Sequence, residues 1–110
     1  MLDHGGWRGL FVAALVVQLV VLYWPRPVDA AAVPGLDKVV HVAIFAAAAM
    51  AGRRAGVPVR WLAAGLALHA VVSEVIQGTL LEGRSADPFD AVADLVGVAI
   101  GLAVARRLAR

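Results

Sequence analysis

Four apolar stretches, divided by short runs of charge, proline and glycine, organise this chain. After a polar start at residues 1–8 containing Trp7 and Arg8, the run from Gly9 to Trp24 is apolar except for Gln18. At 1.5 Å of helical rise per residue it covers roughly 24 Å, enough for a short membrane crossing. Pro25, Pro27, Pro34 and Gly35 then predict a loop. The second stretch, Leu36 to Gly52, contains His41, and its apolar part of about 14 residues is short for an independent crossing. Arg53 and Arg54 close it, and Gly56 and Pro58 make a turn. Trp61 to Leu81 is the third stretch and carries His69, Ser73, Glu74 and Gln77. Glu82 to Pro88 reads as a polar turn, and Phe89 to Leu108 is the fourth stretch, closed by Arg106, Arg107 and Arg110. The pattern predicts an all-α protein: an integral membrane four-helix bundle with short loops, with residues 1–110 forming one domain. The predicted spans are about 8–24, 37–53, 60–82 and 89–107.

The first stretch also has the outline of a signal peptide, with Arg8, the apolar run Leu10 to Leu22 and a small-residue site at Ala30 to Ala32. Tyr23, Trp24, Pro25, Arg26 and Pro27 stand between that run and the alanines, which favours a retained helix.

Composition agrees with a membrane protein. The chain is 62% hydrophobic and its mean hydropathy is +0.84, where a soluble domain is nearer half apolar. The net charge of +2 comes from arginines placed in short runs between apolar segments. That placement encodes membrane topology rather than a nucleic-acid surface, so no nucleic-acid partner is expected. With no cysteine, disulfides, thiolate metal sites and cysteine nucleophiles are excluded. Arg8, Arg53, Arg54, Arg60, Arg106, Arg107 and Arg110 fall on one side of a four-span topology, and Arg26, Lys38 and Arg84 on the other. Seven against three predicts both termini in the cytoplasm. Trp7, Trp24 and Trp61, with Tyr23, read as interfacial anchors.

Carboxylates inside such segments need an explanation, because one at the centre of a membrane helix costs about 2.5–3.5 kcal/mol on insertion scales. Counting helical rise from the outer end of each span places Glu74 at ~10 Å, Gln18 at ~9 Å, Asp94 at ~7 Å and His41 at ~5 Å below Lys38. Polar groups from four helices therefore share one layer in the outer half of the membrane. Arg84 and Asp87 lie above that layer and Asp90 at its rim. Asp37 and Lys38 share a side with His41, and Glu74 shares a stripe with Gln77. Asp90, Asp94, Gly97 and Gly101 form one face that begins acidic and ends small, a pattern that lets helices approach closely.

Together these residues resemble the VanZ-like family of small bacterial membrane proteins. In that family an Asp-Lys pair shortly precedes a His, a Glu is followed three residues later by Gln, and an Arg stands in a short loop. An Asp-x-x-x-Asn-x-x-Gly-x-x-x-Gly motif follows. Here the corresponding residues are Asp37-Lys38, His41, Glu74, Gln77, Arg84, Asp90, Asp94, Gly97 and Gly101, so the likeness covers residues 34–101. Asp94 stands where the family often has Asn, and the first helix matches only in character. The resemblance implies a protein of the bacterial cell envelope, in the cytoplasmic membrane; the founding member is linked to teicoplanin resistance.

The expected binding residues are Asp37, Lys38, His41, Glu74, Gln77, Arg84, Asp90 and Asp94. One reading is a pocket for an anionic lipid or lipid-linked cell-wall precursor, with Lys38 and Arg84 pairing to phosphate and the acids below accepting hydrogen bonds. A second is a membrane-embedded acid/base enzyme acting on a lipid head group, with His41, Glu74, Asp90 and Asp94 as candidate catalytic groups. A third is a network that only fixes helix register, as in an assembly factor. Ser73 points to a different face from Glu74, which argues against a serine nucleophile. His41 reads as a general base, a metal ligand or a hydrogen-bond partner for Glu74 or Asp94; no HExxH-type spacing supports metal ligation, so no metal or other cofactor is expected from the sequence. His69, well below the acidic layer, reads as a helix–helix hydrogen bonder.

Overall fold

The computed structural model describes residues 2–24, 35–81 and 86–109, all of them in helices and the short connections at their ends. Of the loop predicted from Pro25 to Gly35, residues 25–34 lie outside the described residues, as do Arg84 and Ser85. Four helices follow one another: α1 (His4–Tyr23), α2 (Leu36–Arg54), α3 (Val59–Thr79) and α4 (Pro88–Leu108). The protein is an all-α four-helix bundle, with no strand among the described residues.

The sequence explains most helix ends. Asp3 caps α1, its carboxylate accepting the Gly6 backbone N–H at 2.8 Å. That cap starts the helix four residues before the polar start was expected to end. Trp7 thereby joins α1, where its ring lies 5.5 Å from the Arg54 guanidinium instead of serving only as a membrane anchor. At the end of α2, Gly56 takes φ +98. The Gly56 N–H donates to Arg53 O at 3.1 Å and the Val57 N–H to Gly52 O at 3.0 Å. This is a Schellman ending, which needs a left-handed residue there and therefore favours glycine. Pro58 follows and α3 begins at once. Asp87 caps α4 through the Phe89 N–H at 2.9 Å, with Pro88 in the first helical position.

The apolar distribution is inverted relative to a water-soluble bundle. Val12, Val16, Val17, Leu19 and Val20 of α1, Leu68, Val71 and Val75 of α3, and Val92, Val96 and Ile100 of α4 are all exposed. Gln18, His41, Ser73, Glu74, Gln77, Asp90 and Asp94 are buried. Apolar patches of this extent suit lipid rather than water. Three helices, α1, α3 and α4, are long and apolar enough to cross a membrane. α2 falls short on composition but supplies Ile44, Phe45, Ala48 and Ala49 to the core, which is completed by Leu22, Leu62, Leu66, Ala70 and Val98.

α2 and α4 approach most closely. A Cβ built on Gly97 would run into the carbonyl oxygen of Val42, and one on Gly101 into that of Ala46. These glycines are buried, as are Asp90, Ala93 and Asp94, so the acidic-then-small face of α4 meets α2 along its length. His4, Arg53, Arg54, Val59, Arg106 and Arg107 line one cleft, which places the start of α1, the α2–α3 turn and the end of α4 at one end of the bundle. The starts of α2 and α4 meet at the other end, where the candidate site lies.

Candidate functional site

The starts of α2 and α4 bring Lys38 among three carboxylates. Its ammonium donates to Asp37 Oδ2 at 2.7 Å, Asp87 Oδ2 at 2.7 Å and Asp90 Oδ1 at 2.6 Å. Lys38 and Asp37 are successive residues of the first turn of α2, Asp87 is the cap of α4, and Asp90 lies in its first turn. A lysine has three N–H donors, and here each has a carboxylate. The Lys38 ammonium holds the Asp87 carboxyl, which stands outside the helix, below its ordinary range. Lys38, expected at the rim as a phosphate partner, thus has its charge met by acids of the protein.

One turn further in, His41 of α2 and Asp94 of α4 are 2.6 Å apart, Nδ1 to Oδ1. When Asp94 is ionised its carboxylate accepts, which puts the proton of that bond on Nδ1 and leaves Nε2 toward Asp90. Nε2 stands 3.6 Å from Asp90 Oδ2, beyond hydrogen-bond reach. Glu74 enters from α3. Its Oε2 accepts the Asp87 backbone N–H at 2.9 Å, tying α3 to the start of α4. Among the described residues its Oε1 is buried without a hydrogen-bond partner, as is Asp94 Oδ2. One ligand-type atom from each of His41, Glu74 and Asp90 lies within 4.8 Å of the others. All three residues are more than nine-tenths buried, at 5%, 7% and 8% exposure.

Of the residues expected from sequence, the bundle thus brings Asp37, Lys38, His41, Glu74, Asp90 and Asp94 together. Gln77 does not join them. Its amide donates to the carbonyl of Leu22 at 2.7 Å, holding α3 to α1. Gln18, assigned by depth to the same layer, does not join them either. Its amide donates to His69 Nδ1 at 2.7 Å, and His69 Nε2 stands 2.8 Å from the Tyr23 hydroxyl. The buried polar groups therefore form two networks, an acid–histidine site among α2, α3 and α4 and a neutral α1–α3 tie. Tyr23, expected as an interfacial anchor, belongs to the second. Ser73 donates to the Ala70 carbonyl at 3.0 Å, a local helix bond. Arg84 lies outside the described residues.

Asp87 is the site residue that sequence reasoning left out. The signal was present: an acidic residue directly before proline at the head of an apolar run marks an N-cap, and such a cap faces whatever lies beside the helix start.

Among the described residues the site holds five carboxylates, those of Asp37, Glu74, Asp87, Asp90 and Asp94, against Lys38 and His41. It is rich in acceptors and short of positive charge. Such a site can hold donors such as hydroxyl and ammonium groups, move a proton through His41, or take up a cation. Comparison with protein-family models, curated proteins and solved structures gives no match for this chain.

Proposed function

We propose that the chain is a multi-pass protein of the bacterial cytoplasmic membrane, VanZ-like in type, with both termini in the cytoplasm. Its acid–histidine site takes the polar head group of an envelope lipid or lipid-linked wall precursor from the outer leaflet. The observation that carries this reading is the buried Glu74 oxygen, without a partner among the described residues, beside a histidine oriented by Asp94. Buried polar atoms are ordinarily satisfied, and a fixed acceptor left open inside a membrane bundle is suited to an incoming donor. Head-group hydroxyl and amino groups supply such donors.

The His41–Asp94 bond favours a second reading, in which the site also performs acid/base chemistry. A carboxylate on Nδ1 fixes the ring and its tautomer and leaves Nε2 to exchange a proton with a bound hydroxyl. Mass spectrometry of lipids that co-purify with the protein tests the binding reading. A defined head-group lipid retained by the wild type and lost in Glu74→Gln is expected. Equal lipid profiles in the two, with both folded, overturn it. Incubation with that lipid separates binding from turnover, since only the enzyme consumes it and only in a His41-dependent way. A contribution to teicoplanin resistance, suggested by the family resemblance, predicts that Glu74→Gln lowers resistance at unchanged expression.

A further inference from the structure

We propose that His41, Glu74 and Asp90 form a binding site for one divalent transition-metal ion, Zn²⁺ or Mn²⁺, with Asp94 as the group that orients the histidine. The inference does not rest on the lipid reading and is tested without lipid.

Three observations converge. His41 Nε2 and Asp90 Oδ2 face each other at 3.6 Å with no hydrogen bond between them. Since Nδ1 already spends its proton on Asp94, a neutral His41 presents a lone pair on Nε2 to the lone pairs of a carboxylate. Two such acceptors stay together when a cation stands between them. Ligand atoms about 2.0–2.1 Å from a tetrahedral ion stand roughly 3.3–3.4 Å from each other, close to the separation present here. Glu74 offers a carboxylate oxygen within 4.8 Å of both, and its Oε1 is buried without a partner among the described residues.

The bond from His41 to Asp94 completes the pattern. Metal-binding histidines usually donate their second ring N–H to a carboxylate, which fixes the ring and raises its basicity. Asp94 stands where that group is needed, at 2.6 Å and fully buried. One imidazole and two carboxylates suit Zn²⁺ or Mn²⁺ better than Mg²⁺ or Ca²⁺, which prefer all-oxygen sets, and better than soft ions, which prefer sulfur. A divalent ion also supplies positive charge that the acids lack among the described residues. The nearby set of Asp37, Asp87 and Asp90 is not a rival, because the Lys38 ammonium already occupies its centre. No regular ligand spacing announces the site, since the three ligands come from three helices.

The test uses the untagged protein in detergent, stripped with chelator and titrated with Zn²⁺ and, as a spectroscopic probe, Co²⁺. Binding of one ion per chain is expected, with visible Co²⁺ bands of a nitrogen–oxygen ligand set. Glu74→Gln and Asp90→Asn should each weaken binding by at least about tenfold, and Asp94→Asn by roughly 10–100-fold. The double variant His4→Ala/His69→Gln removes the chain's other histidines and should bind as the wild type does. Circular dichroism and elution volume establish that each variant is folded. A folded wild type that binds no ion overturns the proposal, and His41 is then an imidazolium paired directly with the acids. Binding that survives both Glu74→Gln and Asp90→Asn, or that is lost with His4 and His69, also overturns it.

Discussion

At the scale of single residues, exposure separates the three acids around Lys38. Their bonds to it are nearly equal in length, but the Asp90 side chain is 12% exposed, against 37% for Asp87 and 39% for Asp37. Water can replace Lys38 for the outer two and cannot do so fully for Asp90. Lys38→Met should therefore destabilise the bundle by about 1–3 kcal/mol, most of it from the stranded Asp90. Asp37→Asn should cost less than about 1 kcal/mol, as exposed pairs do. Reversible unfolding in mixed detergent gives the order, and equal costs for Asp37→Asn and Asp90→Asn would contradict the argument. Asp87 adds a pH dependence. Its carboxyl is held below the ordinary aspartate range, chiefly by Lys38. A depressed folded value means that the stabilisation is complete above that ordinary range and is lost as pH falls through the folded value. Lys38→Met should flatten this acid-side loss in a melting-temperature series. Depth along each helix was enough to foresee the meeting of His41 with Asp94. It could not foresee the partner of Gln18, because depth leaves the direction around the helix open. Gln18 lies one turn from Leu22 on the buried stripe of α1, and that stripe faces His69.

At the scale of elements, the pairing of α2 with α4 depends on what is missing from two positions. At Gly97 and Gly101 the obstacle to a side chain is backbone carbonyl, which cannot swing aside as the end of a flexible side chain can. Gly101→Ala should force the helices apart and destabilise the protein by about 1–3 kcal/mol, the usual range for overpacking. The separation would also move Asp94 from His41, so metal or lipid binding should weaken along with stability. Gly65, in the middle of α3, has nothing within 4 Å of a built Cβ. Gly65→Ala should be neutral or stabilise by about 0.4–1 kcal/mol. If the two substitutions behave alike, the cause is helix propensity rather than contact. The sequence announced the small face of α4 through its spacing, and caps and turns were legible as proline, glycine and aspartate. The early start of α1 was not, because residues 1–8 look polar and only the Asp3 cap and the Trp7–Arg54 stacking make them helix.

At the scale of the whole molecule, apolarity and packing give different counts of membrane crossings. By length and composition three helices qualify, and α2 does not. Three crossings would put the two termini on opposite sides of the membrane, and four put them on the same side. Packing favours four. α2 has nineteen residues, about 28 Å of helix, the length of its neighbours and close to the hydrocarbon thickness. Its charges sit only in the first and last turns, at Asp37, Lys38, Arg53 and Arg54, and its one inner polar group, His41, is buried against Asp94. Val39 is its one large exposed apolar residue, so it meets protein where the other helices meet lipid. A helix shielded in this way does not need to be apolar enough to insert alone. The Arg-rich end formed by the α2–α3 turn and the end of α4, with the start of α1 beside it, predicts by the positive-inside rule that this end faces the cytoplasm. Reporters fused before Met1 and after Arg110 should both be active only in the cytoplasm. The segment 36–54 placed alone in an insertion assay should cross poorly, whereas 4–23 and 88–108 should cross well. Reporters on opposite sides would mean that α2 lies outside the membrane, and the buried site at its start could not then stand between three spanning helices. Efficient insertion of 36–54 alone would keep the four-span topology but remove the argument that α2 depends on its neighbours.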